Sequence, residues 1–237
     1  MTATLTTQTL SDLLAERVRE TLARLESTPF YARLLAGRVT RDEYAAWLVQ
    51  MHKYVRYSEG AVRHLALAMA VAGDEEGRSL RAYAEQEADE EATHDDMILV
   101  DLARLWDVKR DAVRGRIEAA ETAPSILTYS RLRETFLLRH PKAILGAAFC
   151  LETLSGQHAD RIRAALVEQS GIEAVQRSTT FLRAHRAEVE EAHQGAAAAR
   201  IDQLVEPAER SAAVAFGNLM LNMYEGIAFY LSQRCGG

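Results

Sequence analysis

The sequence predicts an all-α protein, one compact helical bundle of about seven to eight helices. Three observations carry that prediction. Apolar residues recur at spacings of three and four in nearly every segment, and no stretch alternates strictly enough to make a half-buried strand. The chain has 237 residues of which 48% are hydrophobic, enough for one well-packed core. Only 4 Pro and 13 Gly are present, and the prolines fall at segment boundaries, so long helices run uninterrupted between them.

The elements follow in order. A first helix covers residues 10–25 and is closed by Thr28-Pro29; residues 30–35 make a short helical turn stopped by Gly37. Thr40-Arg41-Asp42-Glu43 has the form of a capping box, with Glu43 reaching back to the Thr40 amide, and opens a long helix to about residue 72. Gly73-Asp74 ends it. The next helix spans 75–105, a shorter one reaches residue 121, and Pro124-Ser125 starts another toward residue 139. Pro141 opens a helix to about 169, Gly171 breaks it, residues 172–199 form one further helix, and Pro207 sits in the first turn of the last, which reaches 234. Residues 1–9 read as a disordered tail, and no linker or repeat divides the rest, so 1–237 reads as a single domain.

Charge and composition exclude several classes. Lys plus Arg total 28 against 34 Asp plus Glu, and no basic block interrupts the chain, which argues against nucleic-acid or anionic-membrane partners. The longest apolar run, 143–151, is far short of the roughly 20 residues that cross a bilayer. The first ten residues lack a basic start and an apolar stretch, and the 2 Cys, Cys150 and Cys235, imply no disulfide framework. A cytoplasmic protein with a small-molecule substrate fits, and homodimerisation suits such a bundle.

Acids and imidazoles stand where apolar residues belong. In the 75–105 helix the core stripe reads Leu80, Ala84, Glu87, Glu91, His94, Ile98, Leu102 and Leu105. At about 100° per residue, Glu87 and Glu91 lie within roughly 60° of His94. In the preceding long helix, Glu59 interrupts the ladder Tyr44, Leu48, Met51, Val55, Val62 and Met69. Glu152 lies seven residues from both Leu145 and Ala159 in the most apolar helix, and Leu182, His185, Val189 and His193 share a stripe with Glu190 three residues before His193. Burying such groups is costly unless something neutralises them. The order Glu, Glu91-x-x-His94, Glu, Glu190-x-x-His193, one set per helix, is the pattern by which helical bundles hold two irons. The ordinary alternative is that the Glu-rich run 85–91 is a solvated face.

The amino-terminal landmarks Pro29-Phe30, Leu34, Gly37, Thr40, Tyr44, Leu48, Gln50, Tyr54 and Val55 resemble the opening of heme-oxygenase-like proteins, the superfamily of thiaminase-II-like enzymes and pyrroloquinoline-quinone synthase. Within it, the acids and histidines resemble the heme-oxygenase-like diiron oxidases and oxygenases, over residues 29–230. Those enzymes carry an acid and a His on a central helix, a Glu on a later one, and His-x-x-x-Asp-x-x-His near the carboxyl end. Here Glu87 or Glu91 with His94, then Glu152, then His185 and His193 take these places, with Glu59 as a further carboxylate; the choices between Glu87 and Glu91, and between Glu188 and Glu190, stay open.

The last motif departs from the family pattern. Seven residues separate His185 from His193 where the family has six, and Val189 replaces the metal-binding Asp. On a regular helix His185 and Glu190 are about 140° apart. A π-bulge between Arg186 and Ala192 would restore the register, and without it the second iron would be weakly held or absent.

The resemblance implies an iron-dependent enzyme, with two irons and O2 as co-substrate. Such an enzyme oxidises a small amino-acid-like or fatty-acid-like substrate in natural-product biosynthesis. A second reading is a metal-free thiaminase-II-like hydrolase with Cys150 as nucleophile and Glu225 as proton donor, although Met51-His52 stands where that family has an Asp. A third is a ferritin-like store or a helical binding protein. His52 and His64 are candidates to line a pocket, His140 and His158 read as helix-end or surface residues, and Arg56, Arg63 and Arg131 are candidate anchors for a substrate carboxylate.

Overall fold

The computed structural model describes residues 8–70, 75–185 and 187–235. It holds eleven helical segments and no strand among the described residues: α1 Leu10–Ser27, α2 Pro29–Leu35, α3 Arg41–Ala70, α4 Glu75–Trp106, α5 Arg110–Ala119, α6 Pro124–Arg139, α7 Ala143–Gln169, α8 Glu173–Gln176, α9 Thr180–Ala184, α10 Ala187–Leu204 and α11 Arg210–Arg234. The predicted count of seven to eight is therefore too low. The chief reason is that the expected single helix over 172–199 divides into α8, α9 and the start of α10. Residues 1–7, expected as a disordered tail, lie outside the described residues.

Local chemistry explains most boundaries. Thr9 caps α1, its side chain accepting from the Asp12 amide at 3.1 Å, and Leu10, Leu14, Val18, Leu22 and Leu25 are buried along one face. The capping box before α3 forms as predicted: the Thr40 amide donates to Glu43 Oε2 at 2.7 Å and the Glu43 amide to Thr40 Oγ1 at 3.2 Å. Arg33 also binds Glu43 at 2.6 Å, tying α2 to the start of α3. Pro141 and Pro207 each sit a few residues ahead of their helices, in turns that precede Ala143 and Arg210. This corrects the expectation that they occupy first turns.

In the packing, α3 lies along α4, while α7 lies against both α10 and α11, and α6 links α11 to α3. Two glycines permit the closest approaches. A Cβ on Gly146 of α7 would stand 2.3 Å from the Ala213 carbonyl of α11, and Gly37, at φ 62°, would place one 2.3 Å from the Ala165 carbonyl of α7. The core contains Phe30, Tyr44, Leu48, Leu99, Leu102 and Phe216, all fully buried. Among the described residues no helix is long and apolar enough to cross a membrane.

Candidate metal centre

The apolar members of the α4 stripe, Leu80, Ala84, Ile98, Leu102 and Leu105, are buried. His94 stands half-buried on the same helix. About two turns further on, Asp101 is fully buried, and its carboxylate accepts the backbone amide of Phe181 at 2.9 Å. Arg104, on α4 as well, donates to the Arg177 carbonyl at 3.1 Å and to Thr180 Oγ1 at 2.8 Å. From α3, the buried Tyr44 hydroxyl donates to the Ser178 carbonyl at 2.8 Å. These bonds satisfy backbone groups that a helix over 172–199 would have paired internally, so the chain leaves helical geometry and docks on α3 and α4.

That docking sets the position of His185. It terminates α9 with φ −94° and ψ 47°, and its ring centroid lies 4.5 Å from that of His94 at an interplanar angle of 47°. Phe181 closes one side of the pair, 5.0 Å from His185 and 5.9 Å from His94, and is itself backed by Trp47 at 6.3 Å. Two predicted imidazole ligands from distant parts of the chain thus meet against an apolar wall.

The π-bulge expected between Arg186 and Ala192 is not found among the described residues. Residues 187–204 are α-helical, no π turn occurs among the described residues, and the interruption falls at the end of α9, where His185 leaves helical geometry.

Of the other predicted ligands, Glu152 lies half-buried on α7, which packs against both α9 and α10. The side chains of Glu59, Glu87, Glu91, Glu188, Glu190 and His193, and that of His64, lie outside the described residues. Among the described residues no group of three His, Cys, Asp or Glu side chains stands close enough to hold a metal ion.

Four further positions bear on chemistry. His52 is buried with Nε2 2.7 Å from Asp95 Oδ1, and Arg114 approaches the other oxygen of Asp95 at 3.4 Å. Burial pushes the Asp95 carboxyl up, but His52, Arg114 and Arg56 together hold it below its ordinary value. Tyr54, Tyr129 and Tyr224 bring α3, α6 and α11 together, with rings 5.5 Å and 6.0 Å from Tyr54, and the buried Arg133 lies 5.6 Å over Tyr129. Sequence reasoning missed Arg133, choosing the exposed Arg131 instead; the one available signal was the position of Arg133 in the same helical stripe as Ile126, Tyr129 and Leu137, all buried. Arg63 pairs with Asp89 at 3.2 Å on the surface.

Cys150 is fully buried, and burial pushes its thiol up to about 12. Glu225 forms two contacts with Arg24, at 2.7 and 2.9 Å. His140 ends α6 as expected. His158, read from sequence as a helix-end or surface residue, is instead 2% exposed, bonded to Glu26 at 3.1 Å and packed at a tilt beside Tyr31. The ring joins α7 to α1 through Glu26, which Arg161 also binds at 2.6 Å.

Known structures share this arrangement of helices. A domain of unknown function from Shewanella denitrificans OS217, solved as a heme oxygenase-like fold, matches with a TM-score of 0.73 at 19% identity, over 94% of this chain and 92% of that one. The chain has the heme oxygenase-like fold. A TenA homologue from Pseudomonas syringae pv. tomato DC3000 matches at TM-score 0.71 and 14% identity, over 94% and 93%. A TenA homologue from P. horikoshii OT3 matches at 0.63 and 15%, over 94% and 99%. No family model and no curated protein matches the chain. The expectation from residues 29–55 of a heme oxygenase-like fold therefore holds over nearly the whole chain.

Proposed function

We propose that this chain is a non-heme iron oxidase or oxygenase acting with O2 on a small amino-acid-like or fatty-acid-like substrate, in which His94 and His185 supply the imidazole ligands. The observation that carries the proposal is the 4.5 Å approach of those two rings, from two elements that only the fold brings together. Neutral imidazoles joined by carboxylates are a donor set that suits iron, and that manganese or zinc would also accept. By the chemistry of their side chains, Glu152 from α7, and Glu59, Glu87 or Glu91, Glu188 or Glu190 and His193 from the remaining long helices, would complete the set around one or two irons. Iron held there would supply the activation of O2.

The chain's own residues prepare the site. Phe181 shields one side of the imidazole pair from water, which strengthens every polar interaction beside it. Asp101 and Arg104 hold the α9 segment and so fix the orientation of His185, the supporting role that outer residues play at metal centres. Tyr54, Tyr129 and Tyr224 offer aromatic surface, and Arg133 a buried cation that suits a carboxylate-bearing substrate.

Anaerobic titration with ferrous ion, followed by admission of O2, tests the reading. Stoichiometric uptake and a transient visible absorption band support it, and uptake lost in both His94→Ala and His185→Ala assigns the ligands. Protein that takes up no iron ends it. The TenA homologues among the structural neighbours favour a second reading, the metal-free hydrolase using Cys150 and Glu225. The high pKa of the buried thiol weighs against it, because the thiolate is the nucleophile. Activity in metal-stripped protein that thiol alkylation abolishes would favour that reading.

A further inference from the structure

We propose that the cleft between α3, α5 and the segment leading into α6 binds a small organic oxyanion, a phosphate ester or a carboxylate, at a place separate from the His94 and His185 pair. The cleft measures about 360 Å³ and is lined by His52, Lys53, Arg56, Arg114, Glu118 and Thr122, with Tyr57 and Ile117 supplying its apolar surface. That volume falls in the range that small ligands occupy.

Its charge runs against that of the molecule. The whole chain carries a net charge of −6, yet this cleft presents three fixed cations and one carboxylate, Glu118. Asp95, beneath the floor, neutralises part of that excess by its contacts with His52 and Arg114, and a positive balance is left over for an arriving anion. Asp95 also orients both groups that it touches. Lys53 is anchored by Thr122 at 2.9 Å and by the Ala120 carbonyl, which holds its ammonium at the rim. Arg56 feels the Asp95 charge but forms no ion pair among the described residues, so its planar donors are available for a bidentate contact.

His52 ties the cleft wall to α4. Its side chain lines the cleft and is 7% exposed, both ring nitrogens are buried, and Nε2 stands 2.7 Å from Asp95 Oδ1. A ligand oxygen in the cleft would accept from the Arg56 guanidinium and from the Lys53 ammonium together.

Calorimetric titration of the metal-stripped, full-length protein with inorganic phosphate and, separately, with acetate at fixed ionic strength tests the site. Saturable one-site binding is expected for at least one of them. Tighter phosphate assigns a phosphate ester, and tighter acetate a carboxylate. Arg56→Ala, an exposed change that leaves the core untouched, should weaken binding about tenfold, the share of one charge-assisted contact. Arg131→Ala, exposed on α6, should leave it unchanged. Failure of both anions to saturate, or equal affinity in Arg56→Ala, overturns the proposal. So does binding that survives Arg56→Ala and is lost in His94→Ala, since the anion would then sit at the imidazole pair.

Discussion

The backbone amide of Phe181 donates to the carboxylate of Asp101 across 2.9 Å, although 80 residues of chain separate them. This bond begins α9 from outside its own segment. Burial pushes the Asp101 carboxyl up, against the amide and hydroxyl bonds of Phe181 and Thr180 that favour its charged form. Asp101→Ala removes the acceptor and leaves a buried amide unsatisfied, a change of about 1–3 kcal/mol in unfolding free energy. Asp101→Asn retains a carbonyl acceptor without the charge that burial penalises, and should keep most of the stability. Urea unfolding distinguishes the two, and in Asp101→Ala the loss should extend to metal affinity, by roughly 10–100-fold, because His185 is no longer held.

Acid should destabilise this protein through His158 before it does so through Glu26. Burial holds the His158 imidazole below its ordinary value of 6.5, with the Glu26 contact opposing only in part. The unfolded chain therefore binds a proton that the folded chain refuses, and stability falls as pH drops below 6.5 until the folded value is passed. Glu26 acts in the same direction at lower pH: bonds from His158 and Arg161 hold its carboxyl below the ordinary 4.5, so its contribution is present above that value and lost beneath it. Denaturation midpoints measured from pH 7.5 to 5 should decline, and His158→Gln should flatten the upper part of that decline. A flat profile in the parent protein would contradict the burial of this ring.

The two cysteines should react very differently. Cys150 is sealed in the core with its thiol pushed up to about 12, and Cys235 is half-buried near the carboxyl end. Because alkylation proceeds through the thiolate, native protein should take up one equivalent of iodoacetamide at most, slowly and at Cys235. A second equivalent should appear only in denaturant. Mass spectrometry of the labelled peptides reads this directly, and rapid labelling of Cys150 in folded protein would reopen the hydrolase reading.

A methyl group between α7 and α11 should be poorly tolerated. Gly146→Ala places a Cβ 2.3 Å from the Ala213 carbonyl, which is backbone and must move for the two helices to remain in contact. Overpacking of this kind costs about 1–3 kcal/mol. Thermal unfolding should report a Tm lowered by several degrees. Gly195→Ala, on α10, meets nothing within 4 Å and serves as the tolerant comparison.

Much of the fold was legible because its causes are local. The spacing of Leu10, Leu14 and Val18, the Thr40 and Glu43 box and the helix starts near Pro29 and Pro124 depend on residues within a few positions of each other, so the chain by itself determines that it is helical and where most helices begin. The landmarks from Pro29 to Val55 likewise announced the heme oxygenase-like arrangement. His94 and His185 could be singled out as core-facing imidazoles, but not the way in which they meet. Leu182, His185, Val189 and His193 keep a helical period, and nothing nearby in sequence says that the helix stops. The bonds that stop it come from Asp101, Arg104 and Tyr44, which lie far back along the chain and reach residues 177–181 only after α3 and α4 have packed together. The buried Arg133 and His158 belong to the same class. A polar side chain reads as surface until the neighbouring helices enclose it, and which helices do so is a property of the tertiary structure alone.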